Sequence, residues 1–235
     1  MHPLPGIHHI TAIAGDPQAN VDFYHNLLGQ RLIKKTVNFD DPGTYHFYFG
    51  DEIGTPGTIL TFFPWRGAVR GRRGNGEVAA TAYTIRPGSV GYWQERLSDH
   101  GVTVGEQQKR FGAPVIPFQD PDGMIVEFVV EDGPADVQIW QEGPIPAEHA
   151  LRGFHSATLW VGEAAPTADL LTNSLGYTFA GQEGNRHRFQ AAGEAAGRTA
   201  DLLERPGELH GRLGAGSVHH IAFRTADDDE QAEYL

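Results

Sequence analysis

With 235 residues, 40% of them hydrophobic, and a formal charge of −12, the chain can bury one large core or two modest ones. That acidity argues against general binding to nucleic acid or anionic lipid. The absence of cysteine excludes disulfides and thiolate metal sites, no apolar run approaches a membrane span, and Met1-His2-Pro3-Leu4-Pro5 lacks a secretory signal's basic and apolar regions, so the expected location is the cytoplasm.

The first predicted element is a short β-prone run, Gly6-Ile7-His8-His9-Ile10-Thr11. Strand alternation sends His8 and His9 to opposite faces, with Thr11 sharing the face of His9 and Ile10 and Ala12 that of His8. A helix follows. Asp16 caps it, Pro17 suits its first turn, Val21, Phe23, Tyr24, Leu27 and Leu28 form its apolar face, and Gly29 ends it. Strands are expected over 31–39, 45–50 and 57–63, the second marked by the aromatic alternation Tyr45-His46-Phe47-Tyr48-Phe49. Arg66, Arg70, Arg72 and Arg73, interrupted by glycines, read as a solvated, mobile loop. A strand over 78–85 and a helix over 89–100 capped by Ser89 come next. Strands over 114–118 and 124–131 then flank the turn Asp120-Pro121-Asp122-Gly123. Residues 133–152, with Pro134, Pro144 and Pro146, read as a linker. A second histidine pair lies in Ser217-Val218-His219-His220-Ile221-Ala222-Phe223, and the acidic run Asp227 to Glu230 suits a helix start.

One constant, gap-free offset carries Gly6-Ile7-His8-His9-Ile10-Thr11 onto Gly153-Phe154-His155-Ser156-Ala157-Thr158. The same offset carries Asn26-Leu27-Leu28-Gly29 onto Asn173-Ser174-Leu175-Gly176. The expected fold is therefore α+β, built from repeated βαβββ modules: three complete ones and the opening strand of a fourth at Val218. The expected organisation is an N-terminal pair of modules in 1–132 (about 6–65 and 78–132), the linker 133–152, and a third module with the start of a fourth in 153–235. Two matching strands that each present an imidazole suit a metal ion shared between two copies of one unit. Zn, Fe, Ni and Cu accept neutral imidazole, and two histidines with one carboxylate leave positions open. The third copy reads His155-Ser156 and the second has no histidine in 78–85, so only the first and last can form the site. Glu127 and His155 read as a buried hydrogen-bonded pair. His187 reads as structural or surface, and His2, His25, His46, His100, His149 and His210 carry no signal.

The module order, the histidine strands and Gly54-Thr55-Pro56-Gly57-Thr58 through Phe62-Phe63-Pro64 resemble the vicinal oxygen chelate superfamily, the glyoxalase fold. Within it the chain is most similar to ring-cleaving dioxygenases acting on hydroquinones. Leu28-Gly29-Gln30-Arg31, Tyr45-His46, Arg152-Gly153-Phe154-His155-Ser156, Glu183-Gly184-Asn185-Arg186-His187-Arg188 and His219-His220 carry that likeness, from about residue 6 to 225. The resemblance implies one Fe(II), replaceable by Mn(II), held by His9, His220 and a glutamate on a late strand of the fourth module. It further implies acid–base roles for His8 and His219 and a substrate-binding role for Thr11. The implied activity is that of a non-haem Fe(II) extradiol-type dioxygenase opening a hydroquinone or related aromatic diol. Its partners are then a small aromatic substrate and O2, with no nucleic acid and no membrane, and with homo-oligomerisation left open.

The expected glutamate falls beyond Leu235, as it would in a truncated chain, and the first module's sheet edge is expected to be unpaired. Two alternatives stand beside this reading. One is a glyoxalase-type lyase or isomerase on Zn or Ni, which wants carboxylates from both paired modules where 58–63 offers none. The other is a non-catalytic protein that binds an aromatic ligand without metal.

Overall fold

Apolar runs bounded by glycine and proline turns become strands, and the computed structural model describes them over residues 2–39 and 41–234. Thirteen strands appear among these residues. In chain order they are β1 (Ile7–Ala14), β2 (Arg31–Val37), β3 (Tyr45–Gly50), β4 (Ile59–Pro64), β5 (Glu77–Ile85), β6 (Gln108–Arg110), β7 (Ala113–Gln119), β8 (Ile125–Val130), β9 (Phe154–Val161), β10 (Thr178–Glu183), β11 (Arg186–Gln190), β12 (Thr199–Glu204) and β13 (Val218–Phe223). The helices are α1 (Pro17–Val21), which continues as a wider π turn over Asp22–Leu27, α2 (Val90–Asp99), α3 (Ala165–Asp169), continued likewise over Leu170–Ser174, and α4 (Asp228–Tyr234). No helix among the described residues is long and apolar enough to cross a membrane.

The strands form two sheets, of order β13-β1-β4-β3-β2 and β10-β11-β12-β9-β5-β8-β7-β6. In each run of strand, helix and three strands the first strand lies parallel to the last: β1 on β4, β5 on β8 and β9 on β12. Runs then meet through their first strands, β5 antiparallel to β9 and β1 antiparallel to β13. The expectation of an unpaired first-module edge is corrected here. β13 covers β1, because Ile7, Ile10 and Val218 bury their side chains in one core and the backbone pairing comes with that burial.

The helices pack on one face of each sheet. Tyr24 lies 4.6 Å from Phe62 and Trp93 lies 4.8 Å from Phe128 between ring centres, which leaves the opposite face of the smaller sheet for polar residues. Asp16 caps α1 through its carboxylate, which accepts from the N–H groups of Gln18 and Ala19, and Asp227 accepts from Glu230 at the start of α4. Ser89 holds the N-cap position of α2 but makes no side-chain cap bond: a 3-10 turn precedes that helix, and the Ser89 hydroxyl bonds the Glu148 carbonyl instead. The arginine-rich segment is not a free loop either. Its backbone pairs with residues 210–215, as at Arg72 with Arg212, and the Arg70 and Arg73 guanidiniums bond carbonyls of Asp122 and Gly123.

Gly29 shows how tightly the linker seats. Its φ is +70°, and an added Cβ would collide with Ile145 Cγ1. Gly29→Ala is expected to cost about 1–3 kcal/mol through overpacking and a left-handed backbone. Urea unfolding would measure it, and a change below a few tenths of a kcal/mol would contradict this packing.

Candidate functional site

Each strand that carries a histidine pair also carries one extra residue. Along the β1–β13 ladder, Ile7 faces Phe223 while His9 faces Ala222, so His8 is the added residue on β1. Thr11 faces His220 while Ala12 faces Val218, so His219 is the added residue on β13. A bulge interrupts strand alternation and re-aims a side chain. His8 and His9 therefore do not diverge to opposite faces: their Nδ1 atoms lie 3.1 Å apart, and those of His219 and His220 lie 2.8 Å apart. The expectation of strict alternation fails at these bulges.

The two ligand candidates meet across the ladder. His9 Nε2 lies 3.4 Å from His220 Nε2, with ring centres 5.5 Å apart and planes at 79°. Thr11 is fully buried and its hydroxyl bonds that of Thr61 at 2.8 Å. His46, on β3, completes the arrangement. Its Nε2 lies 2.8 Å from the Thr61 hydroxyl and its Nδ1 2.9 Å from the Tyr48 hydroxyl. Phe63 packs against His46 at 4.4 Å and edge-on to His219 at 5.7 Å, and Trp65 stacks on Phe63. His46 and Tyr48 were not legible as site residues. The available signal was the alternation along β3, which sends Phe47 and Phe49 to the core and leaves His46 and Tyr48 on the opposite face.

Burial shifts His8, His9, His46 and His220 toward the neutral form. Burial, then the neighbouring His8, His220 and His46, push His9 down to about 4 from 6.5. Burial, with His220 and Lys34 adding to it, brings His46 to about 4 as well. His8 is lowered by burial and by Arg224, and His220 by burial and by His219. Neutral imidazole is the metal-binding form. Two nitrogens that share one ion at about 2.0–2.1 Å stand no more than roughly 4.2 Å apart, and the His9–His220 separation lies inside that limit. Among the described residues no group of three or more histidine or carboxylate side chains assembles into a complete ligand set.

The corresponding face of the larger sheet is closed. Bulges recur at Ala79 and His155, which places Ala80 and Ser156 where His9 and His220 stand. By register, Glu127 and Asp201 occupy the position of Thr61. Arg110 grips Glu127 at 2.6 and 2.7 Å, and Arg188 grips Asp201 at 2.8 and 2.9 Å. The expected Glu127–His155 pair is corrected: His155 bonds Ser156 and lies 3.7 Å from Glu131. An open apolar groove of about 880 Å³ lies beside Phe23, Leu27, Val102 and Phe118, and none of the paired histidines lines it.

The family model for "Glyoxalase/Bleomycin resistance protein/Dioxygenase superfamily" matches residues 6–128. The chain belongs to that superfamily. Among its relatives, the Bacillus subtilis protein MhqO, provisionally named a ring-cleaving dioxygenase, is 46% identical over 97% of this chain and 72% of its own length. The chlorohydroquinone/hydroquinone 1,2-dioxygenase of Sphingobium indicum is 39% identical over 97% of this chain and 73% of its own. A crystal structure of a provisionally named dioxygenase from Bacillus subtilis superposes with a TM-score of 0.92 at 45% identity, covering 100% of this chain and 74% of that one. Glyoxalase I of Zea mays, at 17% identity and a TM-score of 0.71 over 97% of this chain and 77% of its own, shares the superfamily fold.

His9 and His46 bind protons less tightly folded than unfolded. Stability present above 6.5 is therefore lost as pH falls through about 4. NMR titration of their ring protons is expected to give midpoints near 4, and ordinary midpoints near 6.5 would contradict this burial.

Proposed function

We propose that the chain is a ring-cleaving, extradiol-type dioxygenase that opens a hydroquinone or related aromatic diol, using one Fe(II) held by His9 and His220. The observation that carries this reading is the 3.4 Å convergence of two neutral imidazole Nε2 atoms on one sheet face. Imidazole suits Fe(II), and Mn(II) is the natural substitute. When bound, the metal supplies Lewis acidity toward a phenolic oxygen and a template that brings ring and O2 together. The aromatic wall of Phe63, His46 and Tyr48 beside the imidazoles supports a planar aromatic substrate. The hydroquinone named for the Sphingobium relative supports the same substrate class. An oxygenase of this kind, without cysteine, fits the reducing cytoplasm.

The tautomers follow from the geometry. If His9 and His220 hold the ion through Nε2, they would carry their protons on Nδ1 and donate to Nδ1 of His8 and His219. His8 and His219 thus hold each ligand in one tautomer and orientation. Their own Nε2–H groups would then donate hydrogen bonds to an oxygen of the bound ring, and any proton they pass on would first have to be taken up by the imidazole. Thr11 lies beneath the imidazoles and acts through Thr61, without touching the ring itself. A lyase reading has less support, because β4 offers Thr61 where the other two complete runs carry a carboxylate.

His9→Ala and His220→Ala are each expected to abolish iron retention and to reduce hydroquinone-dependent oxygen uptake by more than the roughly 100-fold that loss of an outer-sphere partner costs. Ser156→Ala, at the equivalent position of the other sheet, should leave both unchanged. Full iron content and turnover in His9→Ala would sink the proposal.

A further inference from the structure

One row of residues runs straight across the smaller sheet. Tyr48 on β3 faces Thr61 on β4, Thr61 faces Thr11 on β1, and Thr11 faces His220 on β13. All four lie on the face that carries the imidazoles. Their side chains are linked from the far end: Tyr48 hydroxyl to His46 Nδ1, His46 Nε2 to Thr61, and Thr61 to Thr11. Three strand spacings separate the backbones of His220 and Tyr48, about 14 Å. Between those two backbones the row holds only the short side chains of Thr11 and Thr61, whose hydroxyls bond each other.

The hydrogen-bond inventory leaves one function for the far end. Each His46 nitrogen already has a partner. The Tyr48 oxygen, half-buried, has spare capacity whichever way the chain of bonds runs. If Tyr48 donates to His46, its lone pairs remain free to accept. If His46 donates to it, its O–H is free to donate. The Lys34 ammonium, 5.1 Å from the Tyr48 ring centre, backs the residue from the next strand. A diol with oxygens on opposite sides of the ring would place one at His9 and His220 and the other at Tyr48. A 1,2-diol would place both at the histidine end.

We propose that Tyr48 is a specificity-determining residue that hydrogen-bonds the ring oxygen opposite the metal end and so selects 1,4-diols, and that His46 is the positioning residue that orients it. This rests on the reading that the first ring oxygen binds at His9 and His220. The test is anaerobic calorimetric titration of the iron-loaded chain with hydroquinone, phenol and catechol. The wild type should bind hydroquinone about tenfold more tightly than phenol, the usual worth of one retained hydrogen bond. Tyr48→Phe should bring that preference close to one and leave catechol affinity unchanged. His46→Ala should reproduce the loss, and the double variant should add nothing further, since the two side chains act as one unit. If His46→Ala fails to fold, the isosteric Tyr48→Phe decides alone. An undiminished hydroquinone preference in Tyr48→Phe overturns the proposal. A wild type that binds no hydroquinone overturns both it and the functional reading. Tyr48-dependent binding without ring opening once oxygen is admitted overturns the functional reading only.

Discussion

The antiparallel pairing of β1 with β13, broken by one bulge on each strand, is the constraint on which the other features of the site depend. Unbroken alternation would spread the four imidazoles over two faces of the sheet. The extra residues His8 and His219 bring each neighbouring pair of rings within hydrogen-bond distance. The ladder then sets His9 against His220 across the strands. Backbone geometry thus supplies both the convergence of two nitrogens and a hydrogen-bonding partner for each ring.

The larger sheet repeats this scaffold with different side chains. Its bulges at Ala79 and His155 fall at matching places, so its backbone has the same capacity to aim two side chains at one point. Ala80 and Ser156 offer no imidazole there. The carboxylates Glu127 and Asp201 are buried and held by guanidinium groups. Buried charges persist only when paired, and an ion at that face would have to displace an arginine from each carboxylate. One face thereby carries converging imidazole nitrogens, and the other is sealed by its own charges.

Electrostatics at the open face work in the same direction. Two imidazolium rings with nitrogens 3.4 Å apart would repel by roughly 5 kcal/mol at an effective dielectric of about 20. Partial burial adds to that cost, and His9 and His46 are both lowered to about 4. The cluster is therefore a set of lone pairs at neutral pH. Phe63 lies against both His46 and His219, so the surface beside those lone pairs is aromatic.

Much of this was written in the chain itself. The offset that carries Gly6–Thr11 onto Gly153–Thr158, the Asp16 cap and the alternation of Tyr45 to Phe49 reflect local and periodic constraints. Such constraints act over a few residues and leave their mark in residue order. The choice of His9 and His220 came from family likeness, and the facing of β1 by β13 could be suspected from the repeat. The rest needed the third dimension. Bulges at His8 and His219 are properties of a ladder between strands more than two hundred positions apart. The capture of Glu127 by Arg110, the anchoring of residues 69–75 on 209–215 and the link from Tyr48 through His46 to Thr61 likewise join distant segments. Sequence alone determined the repeated α+β scaffold and the supply of imidazoles. Only tertiary structure decided which side chains share a face, because register between distant strands is set by packing the whole core at once.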